Sequence, residues 1–341
     1  MSWIFLIAFA GVLTGSFALP MKYTTKWRWE NTWSMYAIWV LLIFPWAIAY
    51  FVIPNLFEVY RQASPKAIWA VIGFGSLWGA GSVTFGLGLA YLGVALGYSL
   101  MIGLIIVIGS LLPFVTEHPE RFLTQAGMVL TAGVLVIFIS VITNAYSAIL
   151  REKDHQALAT ADKPREKKTF FKGLFICLFT GIVSSGMAYA YAYGEKLGLI
   201  QSALDNGASK ALAANAVLPL MLIGGFVFNM IYTLMLVTKN KGWGLYIQKG
   251  CKRYYLYTMF FGIWTVGVAL MGMGMVNMGK LGPSIGWAII NGVQILVATV
   301  LGLLTGEWKD SSKKTMQVMT VGSIVLLIGI CVVAYANYLQ N

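Results

Sequence analysis

Charge is scarce in this chain. Of its 341 residues only 11% are Asp, Glu, Lys or Arg, against about a quarter in a soluble domain, and histidine occurs twice. Cysteine is also sparse. Cys177 and Cys331 sit far apart in apolar stretches, and Cys251 sits in a basic loop. That spacing is neither a disulfide framework nor a metal-ligand set, so the cysteines read as packing residues and no metal ion is expected. No basic residue precedes the first apolar stretch, Trp3 to Pro20, and no small-residue cleavage site closes it. It therefore reads as a permanent helix and not as a secretory signal.

What is present is apolar surface. Hydrophobic residues make up 59% of the chain and the mean hydropathy is +0.76. Stretches of about twenty apolar residues recur, each long enough to cross a hydrocarbon core of about 30 Å as a helix. Hydropathy places ten such helices at roughly 3–20, 33–54, 67–90, 94–115, 124–149, 171–193, 211–238, 255–277, 283–305 and 315–338. The fold class is an all-α polytopic membrane protein whose partner is the lipid bilayer. A net charge of +12 would suggest nucleic acid in a soluble chain. Here the basic residues fall in short loops, where they act as topology signals, so no nucleic-acid partner is expected. Of the 24 Lys and Arg, 18 lie in or beside the loops after the first, third, fifth, seventh and ninth helices, and 6 lie on the opposite side. The basic-rich side is expected to be cytoplasmic, with both termini outward.

The longest polar connection, REKDHQALATADKPREKKTFFK, separates five helices from five. It divides the chain into an N-terminal repeat (1–150), a polar linker (151–170) and a C-terminal repeat (171–341). The halves resemble each other. FAGVLTGSFA at 9–18 parallels FTGIVSSGMA at 179–188, sharing Phe9 with Phe179, Gly11 with Gly181, and Ala18 with Ala188. Trp78, Gly86, Gly88 and Gly93 recur 186 residues on as Trp264, Gly272, Gly274 and Gly279, and LGVALGYSLMIG at 92–103 recurs as LGPSIGWAIING at 281–292. Because each half holds an odd number of helices, the second enters the membrane the other way up, the inverted-repeat plan of many carriers. The paired glycines place small residues one turn apart, which lets helices approach closely where lipid offers no hydrophobic gain.

No span interior holds Asp, Glu, Lys, Arg or His. Since intramembrane charge marks ion pathways and charged ligands, a cavity without it suits a neutral or amphipathic solute. The same absence argues against a membrane-embedded enzyme, which needs a nucleophile and base or a metal set. Polar and aromatic groups take the place of charge. Trp287, Asn291 and Gln294 share a face of the ninth helix at i, i+4, i+7, as do Ser185, Tyr189 and Tyr193 on the sixth and Trp78 and Ser82 on the third. An aromatic platform with a few placed amides and hydroxyls is a sugar-binding chemistry. Trp78, Ser82, Tyr189, Tyr193, Trp264, Trp287, Asn291 and Gln294 are the candidate substrate residues. Asn229 reads as a packing residue. Trp27, Trp29, Trp33, Tyr254, Tyr255 and Tyr257 lie at span ends and read as interfacial anchors. The basic segment 242–255 beside them suits anionic head groups.

KWRWENTWS at 26–34, PWAIA at 45–49, WGAGSVTFGLGLAYLG at 78–93, GIVSSGMAYA at 181–190 and GEW at 306–308 resemble motifs of the L-rhamnose and proton symporters, within the drug/metabolite transporter superfamily. The resemblance runs from the first helix to the tenth. It implies a ten-helix, two-repeat carrier of a bacterial inner membrane that takes up a deoxyhexose with a proton, with Lys22, Trp27, Glu30, Trp78 and Trp287 as site or gate residues. Ser82 and Ala90 stand where enterobacterial members carry an asparagine and an arginine, which leaves the sugar itself open. A proton carrier needs a titrating group near the cavity. Glu195, Glu30, Glu307 and His118 lie near span ends, and the coupling or gate candidates are Glu195 first, then Glu30 and Lys22. No cofactor is expected beyond the coupling proton, and the carrier is expected as a monomer or homodimer. An exporter of amphipathic metabolites or drugs is the rival reading, and a membrane sensor that binds without transport is a second.

Overall fold

The computed structural model of the chain describes residues 3–16, 23–92, 94–156, 167–306 and 308–340, and all the regular structure among them is helical. In chain order the helices are α1 (Trp3–Gly15), α2 (Trp29–Tyr36), α3 (Phe44–Val52), α4 (Leu56–Gln62), α5 (Pro65–Leu92), α6 (Val94–Glu117), α7 (Gln125–Gln156), α8 (Lys167–Ser184), α9 (Gly186–Lys196), α10 (Leu199–Asp205), α11 (Val217–Lys239), α12 (Lys252–Met259), α13 (Gly262–Asn277), α14 (Gly282–Leu304) and α15 (Lys313–Gln340). Among the described residues nine helical spans are long and apolar enough to cross a membrane, and Trp3–Gly15 is a shorter apolar helix. The protein is a multi-pass membrane protein, and the nine spans fall where hydropathy puts the second to tenth helices. Ala18, Lys22, Gly93, Glu307 and residues 157–166 of the polar linker lie outside the described residues.

Three spans are interrupted, which hydropathy does not register. Between α2 and α3 the rod continues as a π-helical stretch, Ala37–Ile43. Pro45 follows at the start of α3. Its ring cannot accept the ordinary helical register against the preceding turn, and a widened turn relieves that clash. The sixth span breaks between α8 and α9, where the Ser185 backbone N–H and hydroxyl both donate to the Ile182 carbonyl, at 3.2 and 2.6 Å. Gly186 then passes close to α5: a Cβ there would lie 2.4 Å from the Phe74 carbonyl oxygen. The eighth span breaks at Phe260 and Phe261, between α12 and α13.

The packing divides the chain into two units, neither of which is a sequence half: 1–83 with 186–278, and 84–185 with 279–341. In the first unit α1 runs antiparallel to α13. Gly267 faces Ala10 and Thr14, and Gly274, two turns on, faces Ile7. The helices α5 and α11 run parallel in very close contact. A Cβ on Gly75 would meet the Met221 backbone at 1.9 Å, and one on Gly79 would meet the Gly225 Cα at 2.6 Å. Small residues on both helices make this approach possible where dispersion, and not water exclusion, holds helices together.

In the second unit α7 and α15 run antiparallel along their length. Gly133 lies against Val333, Gly329 against Ile137, and Gly322 against Asn144, and the Ser140 hydroxyl donates to the Gly322 carbonyl at 2.9 Å. Gly103 of α6 seats against Phe138 and Val141 of α7, and Gly292 of α14 seats against Ile330 and Leu326 of α15. The last glycine of each duplicated motif thus does the same work, each against the next long helix in the chain.

Candidate substrate site

In the first unit the polar centre is Asn229 of α11, which is fully buried. A carboxamide at that depth needs partners for every polar atom. Its amide donates to the Gly225 carbonyl one turn back, at 2.9 Å. Its oxygen accepts from the Trp33 indole N–H of α2 at 3.0 Å and from the Ser82 hydroxyl of α5 at 2.9 Å. One side chain therefore ties three spans together.

An aromatic run passes through the same place. Trp33 stacks between Trp29 (5.2 Å, 18°) and Tyr36 (4.4 Å, 25°). Tyr36 meets Trp264 of α13 edge-on at 6.3 Å, and Trp264 stacks on Trp78 of α5 at 5.6 Å and 24°. Trp78 lies over Gly225, where a Cβ would sit 2.8 Å from the indole ring. The Thr265 hydroxyl donates to the Val40 carbonyl at 2.9 Å, holding α13 to the π-helical stretch. Tyr36 and Trp264 are buried, while Trp33, Trp78 and Ser82 are half-buried. Trp78, Ser82 and Trp264 are thus brought together.

Tyr189 and Tyr193 form a separate group in the same unit. Both pack on Phe74, Tyr189 stacked at 5.3 Å and Tyr193 tilted at 4.9 Å, and the Lys196 ammonium lies 5.1 Å from the Tyr193 ring. Trp287, Asn291 and Gln294 belong to the second unit. The Trp287 indole is buried and donates to the Ile105 carbonyl at 2.9 Å, against Gly109. Asn291 turns its amide back onto the Trp287 carbonyl at 2.9 Å. Gln294 is half-buried on the same helix.

The acidic candidates differ. Glu195 is exposed at the end of α9, whereas Glu30 is only 6% exposed in the first turn of α2. The positive end of the helix dipole favours a carboxylate there. One Glu30 oxygen accepts from the Asn240 amide at 2.8 Å, and the Arg28 guanidinium donates to the Asn240 carbonyl. Asn31 donates to the Gly242 carbonyl at 3.0 Å. Trp27 completes this clasp: its indole donates to the Leu245 carbonyl at 2.9 Å and its ring meets Tyr246, Tyr254 and Tyr255 edge-on. Trp27 and Tyr254 are buried in that cluster, so packing and not interfacial anchoring is their role. Trp29, exposed at the span end, keeps a face to its surroundings.

Tyr36 and the organising part played by Asn229 escape a reading by composition. The i, i+3 spacing of Trp33 and Tyr36 was visible, but nothing in sequence tells which helix an amide will bridge. Aromatic faces beside amide and hydroxyl groups, with no Asp, Glu, Lys, Arg or His among the residues Trp33, Tyr36, Trp78, Ser82, Asn229 and Trp264, can bind a neutral polyhydroxylated ring through its apolar face and its hydroxyls.

The family model described as L-rhamnose-proton symport protein matches residues 2–337. The protein is 27% identical over 320 residues to the L-rhamnose-proton symporter of Yersinia pestis (strain Pestoides F), covering 92% of this chain and 91% of that one. The same figures hold for the L-rhamnose-proton symporter of Yersinia pseudotuberculosis serotype O:1b. A match across nearly the whole chain makes this protein a member of the L-rhamnose-proton symport protein family, a family of transporters and not of enzymes.

Proposed function

We propose that the protein is a secondary carrier of the bacterial cytoplasmic membrane that takes up L-rhamnose or a related deoxyhexose with a proton. The observation that carries this reading is the aromatic run of Trp33, Tyr36, Trp264 and Trp78 around the Asn229 carboxamide, in a chain matching this family over residues 2–337. The sugar's apolar face stacks on an indole, and its hydroxyls exchange with the Ser82 and Trp33 bonds to Asn229. Tyr189 and Tyr193, and Trp287, Asn291 and Gln294, serve the sugar at other stages of its passage. The carrier works as a monomer or homodimer.

The fold is that of the drug/metabolite transporter superfamily, two inverted five-helix repeats. Three features support it. The repeat-related Trp78 and Trp264 stack on each other, the repeat-related Gly103 and Gly292 occupy equivalent seats, and α7 and α15, the last helix of each repeat, run antiparallel. In such carriers a central site is exposed to each side of the membrane in turn.

Glu30 couples the proton. Its burial and its bond to Asn240 support this reading, since the carboxyl group stands on the same helix as Trp33, less than one turn away, whereas Glu195 is exposed. One charge moved inward at 100 mV supplies about 2.3 kcal/mol, enough for about fiftyfold accumulation at 1.4 kcal/mol per tenfold. The test is uptake of labelled L-rhamnose into proteoliposomes under an imposed pH gradient. Wild type accumulates sugar and a protonophore abolishes the accumulation. E30Q retains sugar counterflow and loses the gradient dependence. Gradient-driven accumulation by E30Q would remove Glu30 from the coupling, and uptake indifferent to protonophore in wild type would overturn symport.

A further inference from the structure

At the polar end of two spans, Lys26, Lys249, Lys252 and Arg253 line an open cup of about 690 Å3 floored by Tyr246 and Tyr255. The residues come from two distant segments, and no acidic residue is among those that line the cup. The floor is rigid. The Tyr255 hydroxyl donates to the Tyr246 carbonyl at 3.0 Å, and Trp27 packs edge-on against both rings, at 5.6 and 5.1 Å. Gly250 turns in the left-handed region (φ 89°), and the Lys26 ammonium lies 3.3 Å from where a Cβ on it would stand. A side chain at 250 would therefore be strained and would crowd the cup.

Two observations set the depth of this cup relative to lipid. The membrane spans begin at Trp29 and at Lys252, so Lys26 and Lys249–Arg253 stand at the head-group level. Beside them Ile247 is 89% exposed, and Leu256 of α12 and Phe260 just after it are exposed as well, an apolar rim of the kind that acyl chains cover. Cations in a concave site with an apolar border match a phosphodiester joined to hydrocarbon, and basic residues near the surface each contribute about a fivefold preference for anionic lipid.

We propose that this cup binds the head group of an anionic phospholipid of the phosphatidylglycerol type, with Ile247 against its acyl chains. Binding bears on transport, and this second part rests on the function proposed above. The Tyr246 hydroxyl lies 2.5 Å from the Ser34 hydroxyl of α2, and the segment leading into the cup carries Asn240, the partner of Glu30. Lipid in the cup therefore holds the loop that clasps the start of α2.

The test uses the full-length protein in nanodiscs of phosphatidylcholine, alone or with phosphatidylglycerol, with thermal unfolding as the readout. Phosphatidylglycerol raises Tm in wild type and in the control variant K313Q/K314Q, whose exposed lysines start α15. It does not do so in K249Q/K252Q/R253Q, for which retention of the lipid falls on the order of a hundredfold. If the triple variant does not fold, the single loop reversal K249E provides the same readout. An undiminished lipid shift in the cup variants, or an equal loss in the control, would overturn the site. A full shift produced by inorganic phosphate or glycerol 3-phosphate without lipid would overturn the lipid assignment. None of these outcomes depends on which sugar is carried.

Discussion

Replacing Asn229 by alanine should loosen three helices at once. The substitution removes two bonds to other spans, from Trp33 at 3.0 Å and Ser82 at 2.9 Å, and leaves those donors without their acceptor. Bonds between membrane helices contribute about 0.6 kcal/mol each on average and up to about 1.7, while an orphaned buried donor costs about 1–3 kcal/mol. N229A is therefore expected to lose about 1–3 kcal/mol and to weaken sugar uptake more than tenfold, because the aromatic run loses its anchor. A double-mutant cycle separates the contributions. S82A and N229A should couple by about 0.6–1.7 kcal/mol, and W33F with N229A by a similar amount. The readouts are reversible unfolding in detergent and initial uptake rates in proteoliposomes. An unchanged Tm with uptake within twofold of wild type, or additive single and double variants, would refute the idea that Asn229 organises the site.

Other expectations follow from the same geometry. G79A pushes a methyl to 2.6 Å from the Gly225 backbone and should cost about 1–3 kcal/mol as overpacking, measured as lost folded yield on size exclusion, while G73A, with open space around it, should be neutral. W27F keeps a ring in the clasp but loses the bond to Leu245, costing about 1 kcal/mol, whereas W27A should cost about 3–5. Burial holds the Tyr246 phenol above its usual 10.0, against the lowering effect of its Ser34 and Asn31 bonds. The raised value favours the neutral folded form, so this contribution is complete below pH 10 and declines as pH rises above it. Melting curves between pH 8 and 11 should be flatter in Y246F than in wild type, and identical slopes would refute the assignment.

The spans were legible because crossing a bilayer demands about twenty apolar residues and little else, and that requirement is written in composition. The interruptions were not. The π-helical stretch at 37–43, the turn at Ser185 and the break at Phe260 occur inside stretches that stay apolar over a span's length, so no window average marks them. The site was half visible. Trp78 and Trp264 stand out in sequence as a repeated pair, and they stack on each other. Face-sharing on one helix was a weaker guide. Trp287 and Asn291 stand one turn apart as expected, yet the indole N–H of one and the amide N–H of the other both donate to backbone carbonyls. Buried Trp27 misled for another reason: its neighbours Tyr246, Tyr254 and Tyr255 arrive from more than two hundred residues away.

The long antiparallel contact of α7 with α15, sustained from Gly133 and Val333 to Asn144 and Gly322, joins the final helix of each sequence half. Such a seam needs no covalent link between the partners, since its small residues and its Ser140 bond recognise each other across the contact. Two polypeptides produced separately, one ending after α7 and one starting before α8, should therefore find each other in the membrane and restore transport.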